Sequence, residues 1–215
     1  MNGTVVIDDS EGPLREALRE VLETEGWKTA TLPEDVPSVE GLVVVAPVPD
    51  DDGSFSGYAA ETFGHIEHAL AAVRPRLGSG ASIVVVGPPL GAEAQAGLAG
   101  VSLVQRGIHG LVRGLAVSLG DDGIRVNAVL PGMLDDAELQ PGTIPLVRPG
   151  RADRRGTAGD VADAVAFLLS EDAGYVTGTE LVVDGGLSQC RSSGTFALWD
   201  ERIIDAFTPL TERMI

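Results

Sequence analysis

The feature that most constrains the fold is a largely apolar run, Val126–Leu130, which ends at Pro131-Gly132. Its length and its flanking turn residues predict a buried strand. Before it, apolar residues recur at helical spacing over 103–119 and stop at Gly120-Asp121-Asp122-Gly123. This pattern predicts a helix that ends on glycine. We therefore expect a helix, a short turn and a strand that enters the core.

The same alternation of strands and helices continues along the chain. Apolar and β-branched runs predict strands over 4–7, 27–32, 41–46, 82–86, 126–130 and 179–183. Helical spacing predicts a first helix that contains Leu14 to Leu22 and ends near Gly26, and further helices over 59–77, 95–119 and 160–170. Strands that alternate with helices indicate the α/β class with a mainly parallel sheet. Such sheets bind ligands at the carboxyl ends of their strands, so we expect any site there.

Composition and charge exclude several classes of function. The chain has 215 residues, 44% of them hydrophobic, and a net charge of −17. We expect one sizeable domain, whose acidic surface repels nucleic acid and anionic lipid. No apolar run approaches the roughly 18 residues of a membrane span, and the N-terminus lacks the pattern of a signal peptide. With Cys190 as the single cysteine, we expect a cytoplasmic protein.

Two patterns resemble metal sites but favour other interpretations. Asp50, Asp51 and Asp52 are adjacent, yet no further ligands follow at the spacing of a calcium loop. His65 and His68 are three residues apart on a predicted helix, without an evident third ligand. We expect a solvated loop and surface or interface histidines, and no metal site.

Three stretches in the C-terminal half together carry a family resemblance. They are Gly-Leu-Val-Arg-Gly-Leu-Ala at 110–116 followed by Gly-Ile-Arg-Val-Asn-Ala-Val-Leu-Pro-Gly at 123–132, Asp-Val-Ala-Asp-Ala-Val-Ala-Phe-Leu-Leu-Ser at 160–170, and Tyr-Val-Thr-Gly-Thr-Glu-Leu-Val-Val-Asp-Gly-Gly at 175–186. In this order and spacing they resemble the second half of a short-chain dehydrogenase/reductase (SDR). The resemblance implies a Rossmann-type, doubly wound parallel sheet, a nicotinamide cofactor, and a catalytic Ser, Tyr and Lys.

The turn after the first strand departs from the family's Thr-Gly-x-x-x-Gly-x-Gly phosphate loop. Aligned on the strand end, the family's glycine positions are occupied by Asp8, Gly12 and Leu14. Pro13 removes a backbone donor, and neighbouring acids place negative charge where a diphosphate would lie. Two like charges about 4 Å apart repel by about 4 kcal/mol at an intermediate dielectric. We therefore expect this chain to bind no NAD(P), which a partner subunit would supply.

The segment after the second strand is short. Only 33–40 separate it from the third strand, where the family pattern has a further strand and helix, and Val44-Val45-Ala46-Pro47 replaces Asn-Asn-Ala-Gly. We expect a sheet that is shortened near the third strand and lacks the usual edge strand.

The family's catalytic positions are also replaced. Its serine aligns with Pro88, and its Tyr-x-x-x-Lys aligns with Val101 and Gln105. In the family the tyrosine transfers the substrate proton and the lysine lowers its pKa; neither valine nor glutamine does this. Lys28 is the only lysine in the chain, and the family's nicotinamide-contacting threonine aligns near Asp136.

Other nucleophile and base candidates do not form a known arrangement. Ser82 is expected inside a strand, and Ser102 and His109 lie seven residues apart on one helix, with no nucleophile elbow. We expect no catalytic residues in this chain.

What remains points to assembly. The resemblance implies that helices 59–77 and 95–119 form an oligomer interface. We interpret 1–187 as a degenerate SDR-type domain and 188–215, an apolar extension, as packing on that domain or on a partner. The expected function is a non-catalytic subunit that assembles with itself or with an active SDR paralogue. The alternatives are an oxidoreductase with an altered site, and a small-molecule binding protein that uses the vacated cleft.

Overall fold

The computed structural model describes residues 3–8, 12–31, 36–47, 55–88, 99–132, 134, 154, 156–186 and 188. Its strands are β1 (Thr4–Asp8), β2 (Lys28–Ala30), β3 (Val39–Val45), β4 (Leu77–Val86), β5 (Arg125–Pro131) and β6 (Glu180–Val183). Its helices are α1 (Pro13–Thr24), α2 (Phe55–Val73), α3 (Ala99–Leu119) and α4 (Ala158–Leu169). No helix among these residues is long and apolar enough to cross a bilayer.

The six strands form one parallel sheet in the order β2-β1-β3-β4-β5-β6. The chain first adds β2 on one side of β1 and then crosses to add β3 on the other, so the strand order reverses between β1 and β3. This is the topology of a doubly wound α/β fold, and the predicted fold class is confirmed. Strand β2 is the edge of the described sheet, and only 31–38 separate it from β3.

Helices cover both faces of the sheet, because its central strands are apolar on both sides. Residues of α2 and α3 pack on one face with β3, β4 and β5. Residues of α1 and α4 pack on the other face with β1, β3 and β4. In α1, Leu18 and Leu22 lie one turn apart and are fully buried, as an amphipathic helix requires.

Polar contacts hold α4 on the sheet. The Arg125 guanidinium donates to the carbonyls of Leu168 (2.7 Å), Leu169 (3.3 Å) and Ser170 (3.0 Å) at the end of α4. These carbonyls have no partners within the helix, so Arg125 acts as a side-chain cap. At the other end, Thr157 and Asp160 form a reciprocal capping box.

Several predicted boundaries differ from the observed ones. Helix α2 ends at Val73 rather than 77, and after a 3₁₀ turn β4 begins at Leu77 rather than 82. The reason is tertiary: Leu77 pairs with Val39 of β3, so the sheet extends beyond the apolar run. The expected start of the third helix, at 95–98, and the extension over 188–215, except Ser188, lie outside the described residues.

Candidate functional site

The carboxyl edge of the sheet is where this fold places a ligand. Asp8 is the last residue of β1, and Pro88 is buried just beyond β4. Gln105 lies in the N-terminal third of α3, which runs antiparallel to the strands and so begins at this edge. The structure therefore brings these sequence-predicted positions to one edge of the sheet. Val101 lies in α3, but its side chain, like all of Asp136, is outside the described residues.

The described residues on either side of the turn between β1 and α1 lack the features of a diphosphate site. Asp8 is 9% exposed, and its Oδ2 has no hydrogen-bond partner among the described residues. Gly12 has an extended backbone, and a Cβ there would meet nothing within 4 Å, so its lack of a side chain serves no close approach. Pro13 lacks an N–H, and Arg15, the cation of the first turn, is already engaged in a polar contact. The described part of this turn does not fit the pyrophosphate of NAD(P).

Gln105 is the residue that the sequence interpretation aligns with the family's lysine. It is 2% exposed, and neither Oε1 nor Nε2 has a hydrogen-bond partner among the described residues. A buried amide without partners loses its hydration and gains nothing in return, a penalty of about 1–3 kcal/mol for each unsatisfied group. The neutral amide has no titratable proton at physiological pH. Gln105 thus places a polar and uncharged group, without a partner among the described residues, in the buried part of α3.

Two further buried polar residues, missed by the sequence interpretation, lie on the inner face of α2. Tyr58 is 2% exposed and Thr62 is fully buried. Neither hydroxyl makes a hydrogen bond of good geometry with a described residue. The nearby Thr62 hydroxyl acts to lower the Tyr58 pKa, but this effect is smaller than that of burial. Burial raises the pKa of Tyr58 well above its ordinary value. Their spacing of four residues, on the stripe that continues with Ile66, was the available signal.

The position of Tyr58 and Thr62 along the direction of the strands follows from the packing of α2 on α3. A Cβ at Gly107 would overlap the Phe63 ring, so α2 and α3 are in close contact there. Both helices run antiparallel to the strands, so Tyr58, Thr62 and Gln105 all lie on the N-terminal side of this contact. We refer to these three residues together as the buried polar cluster.

The other sequence candidates have structural roles or fall outside the description. The buried Ser82 hydroxyl donates to Leu168 O (2.9 Å) and helps to hold α4. Ser102 makes a polar contact of its own. His109 Nδ1 lies 2.8 Å from Glu180 Oε2. Within the described part of the chain, no group of three His, Cys, Asp or Glu is placed to hold a metal ion; Asp50–Asp52 and Cys190 lie outside it.

Sequence comparisons match the chain to one group of enzymes. A family model described as Enoyl-(Acyl carrier protein) reductase matches residues 58–188. The short-chain dehydrogenase/reductase aba4 of Botryotinia fuckeliana is 31% identical over 191 residues, covering 79% of this chain and 73% of that protein. The 3-oxoacyl-[acyl-carrier-protein] reductase FabG of Haemophilus influenzae is 38% identical over 112 residues, covering 49% of this chain but only 45% of the reductase.

Solved structures share the fold. The ligand-free aldohexose dehydrogenase of Thermoplasma acidophilum superposes with a TM-score of 0.75 at 22% identity, covering 89% of this chain and 96% of that one. A short-chain dehydrogenase/reductase from Serratia marcescens gives a TM-score of 0.74 at 21% identity, with 86% and 98% covered. At these identities the likeness concerns the fold alone.

Proposed function

Because the chain belongs to the short-chain dehydrogenase/reductase family, we propose that it is a non-catalytic SDR subunit. It assembles with itself or with an active SDR paralogue, in an NAD(P)-dependent oxidoreductase complex where the partner binds the cofactor. The single cysteine of the chain is compatible with the reducing cytoplasm in which we place this complex.

The observation that carries the proposal is that neither tyrosine of the chain is suited to transfer the substrate proton. The chain has two tyrosines. Tyr58 is buried, with a raised pKa, whereas the family chemistry needs a tyrosine whose pKa is lowered. Tyr175 is fully exposed, beyond the end of α4. Lys28, the only lysine, begins β2 and so lies at the amino edge of the sheet.

The turn after β1 supports the absence of a bound cofactor. Asp8 places a carboxylate with an unpartnered, buried oxygen at the end of the first strand. A diphosphate brought beside it adds negative charge in a place where water screens poorly. The sequence neighbours Asp9 and Glu11 add to the acidity of this turn.

The outward faces of α2 and α3 support assembly. Gly64 on α2 and Gly110 and Gly114 on α3 are exposed, and a Cβ at any of them would meet nothing within 4 Å. Leu103 (54% exposed) and Val117 (83% exposed) lie on the same face of α3. A face with small residues between exposed apolar ones lets a second pair of helices approach closely.

Charge on the two helices favours a symmetric contact. Glu61 and Glu67 are exposed on α2, and Arg106 is exposed on α3. In a two-fold interface the same surface is used by both copies. An acidic α2 beside a basic α3 is therefore complementary to itself, or to a paralogue with the same pattern.

Cofactor binding is tested by isothermal titration of the full chain with NADH and NADPH. We expect no binding in the micromolar range, whereas an SDR with an intact Tyr-x-x-x-Lys serves as the binding control. Asp8→Asn removes the charge and keeps the shape; a gain of affinity in this variant would identify the carboxylate as the obstacle. Micromolar binding by the unaltered chain would contradict the proposal.

Assembly is tested by size-exclusion chromatography with light scattering, on the chain alone and after co-expression with an active SDR paralogue. We expect a dimer or larger species, and we expect Gly110→Gln to weaken it because a long side chain would enter the close contact. Glu20→Gln, on the exposed face of α1, is the control. A stable monomer that captures no partner would count strongly against this function.

The buried polar cluster supports a second candidate, a small-molecule binding protein. Unsatisfied amide and hydroxyl groups would be completed by a neutral ligand with both donors and acceptors. A thermal-shift screen against neutral metabolites tests this idea, with Gln105→Leu as the comparison. A ligand that stabilises the unaltered chain and not the variant would favour this candidate over the first.

A further inference from the structure

A pocket lies at the edge of the sheet opposite to the buried polar cluster. It has a volume of about 500 Å³ and lies between the C-terminal half of α3 and the segment 177–180 that leads into β6. Because α3 ends and β6 begins here, this is the amino edge of the parallel sheet. The pocket is therefore separate from the edge at which the fold places a nucleotide.

One wall of the pocket is held by a buried amide. The Asn127 side-chain N–H donates to Val176 O (2.9 Å), and Asn127 Oδ1 accepts from the Thr179 N–H (3.2 Å). Gly178 N–H donates to Val126 O (2.7 Å). Gly178 has a φ of +72°, and a Cβ there would lie 3.4 Å from the Ala116 Cβ, so the segment fits closely on α3. The wall is thus formed before any ligand binds.

Of the charged side chains that line the pocket, Glu180 has an ionic partner among the described residues and Arg113 does not. His109 lies between two charged groups: its Nδ1 is 2.8 Å from Glu180 Oε2, and its Nε2 is 3.4 Å from Arg113 Nη1. Glu180 is only 14% exposed, and its carboxylate is directed at the histidine. No carboxylate of the described residues forms a salt bridge with Arg113. In a chain of net charge −17, a cation left without an acidic partner beside a pocket is a place for an external anion.

We propose that this pocket binds a small organic monocarboxylate. Its carboxylate pairs with Arg113, which presents a planar fork of donors. Its apolar part contacts Ala116 and Val117, which line the same pocket. The Glu180 carboxylate on the far side of the imidazole disfavours a dianion, because the added negative charge would be repelled. Val117 also lies on the face of α3 proposed for assembly, so the two proposals share this residue, but ligand binding and oligomeric state are measured separately.

The test uses the full chain and three probes: benzoate, its uncharged analogue benzamide, and inorganic phosphate. Binding is followed by chemical-shift changes in amide NMR spectra. We expect benzoate to bind with millimolar or better affinity, with shifts centred on 109–117 and 176–180. Benzamide and phosphate should each bind at least about tenfold more weakly.

Two matched variants locate the interaction. Arg113→Gln removes the pocket's cation, and Arg19→Gln removes an exposed arginine of α1 that does not line the pocket. We expect a loss of about tenfold or more for Arg113→Gln and less than about twofold for Arg19→Gln. Thermal unfolding of both variants, each altered at an exposed position, checks that they remain folded.

Several outcomes would overturn the proposal. They are an absence of benzoate binding at millimolar concentration, equal binding of benzamide or phosphate, shifts centred at the carboxyl edge, and equal losses in the two arginine variants. A shift map confined to the pocket, with the loss limited to Arg113→Gln, would support it.

Discussion

Two buried carboxamides in this protein have opposite hydrogen bonding. Asn127 is fully buried at the amino edge of β5, where its side chain bonds both Val176 and Thr179. Gln105 is 2% exposed in α3 near the carboxyl edge, and both of its polar atoms lack partners within the described part of the chain. A satisfied buried amide stabilises a fold, whereas an unsatisfied one destabilises it. The Asn127 side chain therefore contributes to the stability of the fold, whereas stability does not explain why a glutamine is present at 105.

The region around Asn127 belongs to the structural frame of the domain. Its hydrogen bonds hold the segment that precedes β6 against β5, and Arg125, two residues earlier, caps α4. The buried polar cluster of Tyr58, Thr62 and Gln105 belongs to the site edge of the family fold. Replacing a buried amide by leucine should therefore change the free energy of unfolding in opposite directions in the two regions.

The largest effect is expected for Asn127→Leu. The substitution leaves Val176 O and the Thr179 N–H without their partner, and leucine offers no replacement. We expect a loss of about 3 kcal/mol or more in the free energy of unfolding, measured by urea denaturation.

Thr177→Val is the graded control for this prediction. It removes one hydrogen bond of the same segment, the one that Thr177 Oγ1 accepts from the Val126 N–H (3.1 Å). We expect a loss of about 1 kcal/mol. Equal effects of the two substitutions would show that the Asn127 network has no special weight.

A smaller effect of opposite sign is expected for Gln105→Leu. Leucine has a similar size and removes two polar atoms that lack partners. We expect a gain of about 1–2 kcal/mol in the free energy of unfolding. Chemical denaturation of the purified chain measures it.

Gln105→Glu is the matched control, because a buried carboxylate without a cation is less favourable than the amide. We expect it to lower stability. If Gln105→Leu instead destabilised the protein, the amide would have a partner, and the contrast with Asn127 would fail.

The smallest effect is expected for the exposed hydrogen bonds of Asp160. They test whether such bonds add stability where water can replace the partner. Arg154 and Thr157 hold the pKa of Asp160 well below its usual range. A lowered pKa in the folded state adds stability above the ordinary pKa of the carboxyl group, and this stability is lost as the pH falls. Because Arg154 is exposed, the effect should be modest.

Asp160→Asn should therefore flatten the acid side of the stability profile. We expect the unaltered chain to lose stability more steeply than the variant between about pH 5 and pH 2, as followed by thermal unfolding across pH. Asp163→Asn, on the exposed side of the same helix, is the control. Parallel profiles for the unaltered chain and Asp160→Asn would show that the Arg154 contact has no effect in solution.

Much of the fold could be predicted because the local pattern and the tertiary structure agree. The apolar runs of β3, β4 and β5 are buried on both faces, and the alternation with helices is sufficient to indicate a parallel sheet. The boundaries of α2 and β4 were wrong because the pairing of Leu77 with Val39 is a long-range contact. No local propensity encodes such a contact.

The location of the candidate site was predictable in part. Pro88 and Gln105 were selected through the family resemblance, and the structure places both at the carboxyl edge of the sheet. That they replace catalytic residues stays a prediction. The burial of Tyr58 and Thr62 was missed, because a polar pair on an otherwise apolar helix face has no meaning until the packing of α2 is known. The pocket that contains Arg113 and Glu180 is formed by residues far apart in the chain, so no sequence motif predicts it.

The amino-acid sequence was sufficient to predict the fold class and the family, and it shows that Lys28 is the single lysine of the chain. These properties depend on residue identity and periodicity, which are local. The three-dimensional packing was needed to show which polar groups are buried, which of them have partners, and that Arg113 lines a pocket with no salt bridge to a carboxylate of the described residues. Those properties depend on distances between segments that are remote in the chain, and hydrogen bonds and ion pairs form or fail over fractions of an ångström.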